Sequence, residues 1–203
     1  MWKWLYNIVA HLAIPFLAIV GLLNGKVRKN LRERLFPEPV EHGLRDLVWI
    51  HGASLGEAVI AQNLLERISL QMPRARFLVT TNTYYARDLL RGKLGPNAII
   101  RSLPFDLPFS ISRLMGNSTF RGLILVETEL WPNLIWTAHR RDIPVIVVNG
   151  RVSDATIRRY NSVSPFLKDV LSCVSLVLAQ SSIHAGRFVQ LGVPPSRVIE
   201  SGN

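Results

Sequence analysis

Gly52-Ala-Ser-Leu-Gly-Glu57 sets a hydroxyl and a carboxylate three residues apart, directly behind an apolar run. The motif admits three readings. Ser54 can cap a helix while Glu57 reaches back to it, a capping box. Gly52, Ser54 and Gly56 also match the G-x-S-x-G of a nucleophile elbow. Its remaining members would then be Asp154 or Asp169 with His184, and no motif marks them. Third, Glu57 can be a general base at a helix start, taking a proton from a sugar hydroxyl as that hydroxyl attacks. Gly56 in a first helical turn costs about 1 kcal/mol relative to Ala, which points to a ligand approaching the backbone closely.

Further along, Glu127 and Glu129 lie two apart at the end of an apolar run, followed by Trp131 and Pro132. On a strand, that spacing puts both side chains on one side. Two carboxylates and a Trp suit carbohydrate binding; the alternative is one solvated acid and one helix cap. Thr80, Thr81 and Thr83 offer hydroxyls and backbone N–H groups to an anion or a sugar. Asn149 and Arg151 end another apolar run, and Arg151, Arg158 and Arg159 suit substrate phosphates or form a solvated basic face.

The elements that must position these groups are legible from residue 44 onward. Short β-branched runs at 47–51, 76–80, 98–102, 122–127, 145–149 and 176–179 predict strands. Amphipathic stretches at 56–71, 84–94, 109–115, 133–141, 165–171 and 183–191 predict helices between them. Near-continuous apolar strands alternating with helices indicate an α/β fold: a Rossmann-like parallel sheet with helices on both faces. Each polar motif follows a strand, and ligands of open parallel sheets bind at the carboxyl ends of the strands.

Composition narrows the partners. The formal net charge is +10 over 203 residues, which suits nucleic acid, anionic lipid or a phosphorylated substrate. The aromatic residues do not interleave with Lys and Arg, so no nucleic-acid platform is expected. The five histidines show no metal-ligand spacing, and neither metal nor cofactor is expected. The lone Cys173, in an apolar run, reads as a small buried hydrophobe and excludes an internal disulfide.

The first residues form a unit of their own. Leu5 to Leu23 contains no Asp, Glu, Lys or Arg, and Lys26, Arg28, Lys29, Arg32 and Arg34 follow it. Residues 1–36 therefore read as a membrane-anchoring helix with a basic flank on the cytoplasmic side. Asn7, His11 and Pro15 leave open whether it spans the bilayer or lies half-inserted. Residues 37–43 are a connector, and 44–203 the Rossmann-like domain.

Trp49-Ile-His-Gly-Ala-Ser-Leu-Gly-Glu57, Thr80-Thr-Asn-Thr83, Leu103-Pro-Phe-Asp-Leu-Pro108, Glu127-Thr-Glu-Leu-Trp-Pro-Asn-Leu134 and Val148-Asn-Gly-Arg-Val-Ser153 occur in this order. Together with Leu178-Ala-Gln-Ser, Arg187-Phe and Leu191-Gly192, the set resembles the Kdo (3-deoxy-D-manno-octulosonic acid) transferase family. The resemblance implies the amino-terminal half of a GT-B glycosyltransferase at the cytoplasmic face of the bacterial inner membrane. It implies inverting, metal-independent transfer of Kdo from CMP-Kdo to a lipid A precursor, lipid IVA. The amino-terminal domain then binds the acceptor, with Glu57 matching the general base and Glu127 the second essential carboxylate. Ser54, Gly56, Thr80, Thr81, Thr83, Glu129, Asn149 and Arg151 fall on its substrate-binding motifs. The family continues past residue 203 into a nucleotide-binding domain, so this chain alone is expected to lack activity. A lipid-binding module without catalysis, and a serine hydrolase using Ser54, are the alternatives.

Overall fold

A computed structural model describes residues 2–23, 25–41, 43–154, 156–157 and 164–202. Seven strands form one fully parallel sheet: β1 (Leu47–His51), β2 (Phe77–Thr81), β3 (Ala98–Ser102), β4 (Phe120–Val126), β5 (Val145–Gly150), β6 (Leu176–Ala179) and β7 (Val198–Glu200). Their order is β3-β2-β1-β4-β5-β6-β7. The chain winds outward from β1 in one direction and then, from β4, in the other. That reversal makes a topological switch point between β1 and β4, where open α/β sheets hold their ligands.

Alternation along the buried strands feeds two cores. Leu47 and Trp49 of β1 face one side, and Val48 and Ile50 the other. The second side is covered by α3 (Leu55–Gln71) and α4 (Tyr84–Lys93), through Ala58, Ala61, Leu65, Ala86 and Leu90. The first takes α5 (Pro108–Met115), α6 (Pro132–Arg140), α7 (Ser164–Ser172) and α8 (Ser182–Gln190), through residues such as Ile111, Trp136, Val170 and Phe188. Strand β7 was missed from sequence because only three residues, behind the 3₁₀ turn Pro195–Arg197, complete it. The other boundaries fall within two residues of expectation.

The amino terminus departs from expectation. Helix α1 (Trp2–Leu23) is followed by α2 (Gly25–Leu35). Among the described residues no helix is long and apolar enough to cross a membrane, so the spanning arrangement is not supported. Lys3, Asn7 and His11 recur every fourth residue, and Pro15 lies inside the helix. Instead, α1 packs on the body. Tyr6 stacks on Phe166 and meets Trp136 edge-on, and its hydroxyl donates to Asp106 at 2.8 Å. Asn133 Nδ2 donates to Asn7 Oδ1 at 3.0 Å. Along the outer face, Trp4, Leu5, Ile8, Val9 and Leu12 are exposed. The connector is packed as well: Val40 is buried, and its N–H donates to the Leu114 carbonyl at 2.8 Å.

Candidate functional site

The switch point brings the β1 exit against the β4 exit. Behind β1, Ser54 caps α3, and the capping box is fully formed. Glu57 Oε2 accepts from Ala53 N–H at 2.6 Å, and Glu57 Oε1 from the Ser54 hydroxyl at 3.0 Å. The carboxylate is half-buried at the rim. Gly52 is required by this turn, because a Cβ there would stand 2.9 Å from the Glu57 backbone carbonyl. At Gly56, by contrast, a Cβ would meet only the Ser54 hydroxyl, at 4.0 Å, so no close contact requires glycine there.

Strand β4 ends one residue earlier than expected, so strand alternation does not reach Glu127 and Glu129. Glu127 has φ +62°, a left-handed conformation that turns the chain as it leaves the strand. It stands 3.6 Å from Arg151 Nη1. Asn149, near the end of the neighbouring strand, is left-handed as well, with φ +53°. Its buried Oδ1 has no hydrogen-bond partner among the described residues. Glu127, Asn149 and Arg151 thus gather where β4 and β5 end.

Glu129 turns toward β1. It accepts from Trp131 Nε1 at 2.9 Å and faces His51 Nε2 at 3.6 Å. Burial pushes its carboxyl up, but the His51 imidazole and the Trp131 N–H outweigh burial and hold it below the ordinary value of 4.5. A group that titrates lower when folded contributes stability above its unfolded value and loses it as pH falls through the folded value. Glu129→Gln is therefore expected to lower the melting temperature near pH 7, where the contribution is fully present, and to flatten its fall below about pH 4.5. Thermal melts of both proteins from about pH 7 to about pH 3 measure this; curves that stay parallel throughout would show that these contacts do not hold the Glu129 carboxyl low.

The threonines also serve the fold. Thr80 is fully buried, with Oγ1 3.0 Å from His51 Nδ1 and accepting from Trp49 Nε1 at 2.9 Å. Thr81 Oγ1 donates to the Ala53 carbonyl at 3.1 Å and so fastens the Glu57 loop. Thr83 caps α4 by accepting from Ala86 N–H at 3.2 Å. Thr80 and Thr81 are thus tied into the fold, while Thr83 stays exposed at the start of α4. Arg158 and Arg159 lie outside the described residues.

Among the described residues no hydrolase triad assembles. Ser54 is engaged by Glu57, while His184 Nδ1 meets the Val152 backbone and Asp154 pairs with Arg187. His184 belongs to α8, behind β6, three strands away from β1. Among the described residues no group of three His, Cys, Asp or Glu is placed to hold a metal ion.

Three residues of the site went unassigned in the sequence. His51 closes the floor, and its neighbour Trp49 marks the strand that carries it. Asp106 accepts from Asn133 N–H and Leu134 N–H at 2.9 Å, capping α6 at a distance. Asn133 in turn donates to the Asp106 carbonyl at 2.6 Å. The signal was the pair of motifs Pro104-Phe-Asp-Leu-Pro108 and Trp131-Pro-Asn133, each with a polar residue beside a helix start. Beside them, an apolar cavity of about 230 Å³ opens under α1, lined by Tyr6, Ala10, Ile14, Leu31, Phe105 and Trp131 among others.

A carboxylate at the mouth of a crevice, a second acid paired to an arginine and an apolar cavity alongside can deprotonate a hydroxyl on an amphiphilic molecule. Comparison with known proteins bears on which molecule. A family model described as 3-deoxy-D-manno-octulosonic-acid transferase (kdotransferase) matches residues 29–203. The chain is 32% identical to a 3-deoxy-D-manno-octulosonic acid transferase of Haemophilus influenzae, over 100% of this chain and 49% of that protein. It is 32% identical to a transferase of the same name from Rickettsia bellii, over 93% of the chain and 46% of the relative. A bifunctional glycosyltransferase/methyltransferase of Fusobacterium nucleatum is 28% identical over 98% of the chain and 31% of its own length. The chain thus spans about half the length, or less, of these curated relatives.

Proposed function

The chain belongs to the Kdo transferase family, a family of glycosyltransferases, and from that premise we propose that it is the acceptor-binding half of such an enzyme. The acceptor is a lipid A precursor, lipid IVA; CMP-Kdo is held by a further domain. Glu57 takes the proton of the attacking acceptor hydroxyl, the new bond forms at the anomeric carbon of Kdo, and CMP leaves from the opposite face. Glu127 and Arg151, with Asn149, Glu129, Ser54 and Gly56, line the acceptor site.

One observation carries this reading: Glu57 and the Glu127–Glu129 turn stand on either side of the switch point, and the apolar cavity under α1 adjoins that rim through Trp131. A sugar headgroup at the carboxylates and an acyl chain along α1 fit one amphiphile. The exposed apolar face of α1 supports attachment in the plane of the membrane, at the cytoplasmic face of the bacterial inner membrane.

Joining residues 1–203 to the remaining half of the Haemophilus influenzae relative tests the assignment. The chimera is expected to transfer labelled Kdo from CMP-Kdo to lipid IVA, and residues 1–203 alone to transfer none. A folded chimera that fails, beside an active parent assayed in parallel, would overturn it.

A further inference from the structure

The structure carries a second strongly charged place, at the β3 edge of the sheet. A cavity of about 560 Å³ is lined by Arg32 of α2, Arg91 of α4, Arg101 of β3 and Arg113 of α5, together with Glu33 and Glu38. Four guanidinium groups converge there from four elements that are far apart in sequence. Like charges gathered in one concave place repel, and the field between low-dielectric walls concentrates a counter-ion of opposite sign.

The two carboxylates do not neutralise this field. Glu33 is engaged by Arg87, which also donates to Ser102, and the Ser102 hydroxyl donates to Glu33 at 2.9 Å. Glu38 stands 3.9 Å from Arg101, with a side chain 87% exposed. Arg113 uses Nε on the Pro37 carbonyl, leaving the rest of its fork free of protein acceptors among the described residues. Arg32 and Arg91 have no carboxylate partner among the described residues, and Arg101 Nε is buried without an acceptor. Donors therefore outnumber acceptors in the cavity. A planar fork that can donate two parallel hydrogen bonds suits a tetrahedral oxyanion best.

We propose that this cavity binds a phosphate group. It lies four strands from the Arg151 cluster on β5, which at ordinary strand spacing is roughly 19 Å across the sheet. The site is therefore separate from the arginine beside Glu127, and it stands whether or not the transfer reading does. The phosphate can belong to a phospholipid headgroup or to a phosphorylated sugar, and these two sources are separable.

Pyrophosphate is the probe. Titration calorimetry on residues 1–203 at low salt should give saturable binding that weakens as salt rises. The double variant Arg32→Gln/Arg91→Gln, altered at two exposed positions, should bind at least about tenfold more weakly. Arg151→Gln should bind as the unaltered protein does. Circular dichroism verifies the fold of each, and the single variant Arg91→Gln serves if the double variant does not fold. For the source, glucosamine 1-phosphate competing with pyrophosphate would assign a phosphorylated sugar. Loss in the double variant of co-flotation with phosphatidylglycerol vesicles, but not of any binding to phosphatidylcholine vesicles, would assign a headgroup. Pyrophosphate binding that is absent, unchanged in the double variant, or lost equally in Arg151→Gln would overturn the site.

Discussion

Glu57→Gln is expected to lower Kdo transfer by the joined enzyme at least a hundredfold while barely moving its melting temperature. A sugar hydroxyl is a poor nucleophile at neutral pH, and a positioned base contributes about 10²–10⁴-fold. Gln cannot accept that proton. It keeps the length of Glu and one oxygen for the Ala53 N–H, and its amide can donate to the Ser54 hydroxyl that now donates to Glu57. Because the capping box serves the fold and the base serves the chemistry, stability and turnover separate the two roles. If both hold, turnover collapses at constant stability and constant acceptor affinity. Near-normal turnover would leave Glu57 a helix cap and nothing more. Turnover, lipid IVA affinity and thermal melts on this one substitution decide it.

The largest effect on stability is expected at Asp106. Its carboxylate accepts from two backbone N–H groups of α6 and from the Tyr6 hydroxyl, in a position only 9% exposed. Burial raises its pKa, while the Asn133 N–H, the Tyr6 hydroxyl and the Leu134 N–H pull it down. Asp106→Ala strands three donors at once, each costing about 1–3 kcal/mol if left unsatisfied. A loss of about 3–5 kcal/mol follows, or roughly 6–20 °C in melting temperature for a chain of this size. Asp106→Asn keeps one acceptor oxygen and should lose about half as much. Tyr6→Phe removes only the contact with α1 and should cost about 1 kcal/mol. Thermal melts of the three variants establish the order Ala, Asn, Phe; an Ala variant as stable as the Phe variant would show that Asp106 does not hold α6.

The parallel sheet was legible because strands buried on both faces must be apolar without interruption, as Leu47-Val-Trp-Ile50 and Phe77-Leu-Val79 are. The order of motifs along the chain likewise located the rim, since each follows a strand. What a linear pattern does not carry is which polar residue of a motif faces outward. Thr80 and Glu129 both sit where a strand ends, yet one is sealed beneath Trp49 and the other reaches His51. Their difference is one of residues brought together from separate strands. Glu127 was misplaced for a related reason: alternation assumes an extended backbone, and the left-handed turn breaks it. Nor does composition at the amino terminus reveal that Tyr6 and Asn7 are anchored to Asp106 and Asn133.

The paired left-handed residues at the ends of β4 and β5 bear on how this sequence can drift. Glu127 and Asn149 hold conformations that glycine adopts freely and that cost other residues about 1–2 kcal/mol, Asn somewhat less. Selection for robustness alone would therefore drive both positions toward glycine, at the edge of the same crevice. Glycine there would remove a carboxylate and an amide from the rim together. The strain marks these two sites as places where evolvability toward higher melting temperature and retention of the proposed acceptor site pull in opposite directions. A stabilised descendant of this chain would pass through the helices and the outer strands first, and reach the ends of β4 and β5 last.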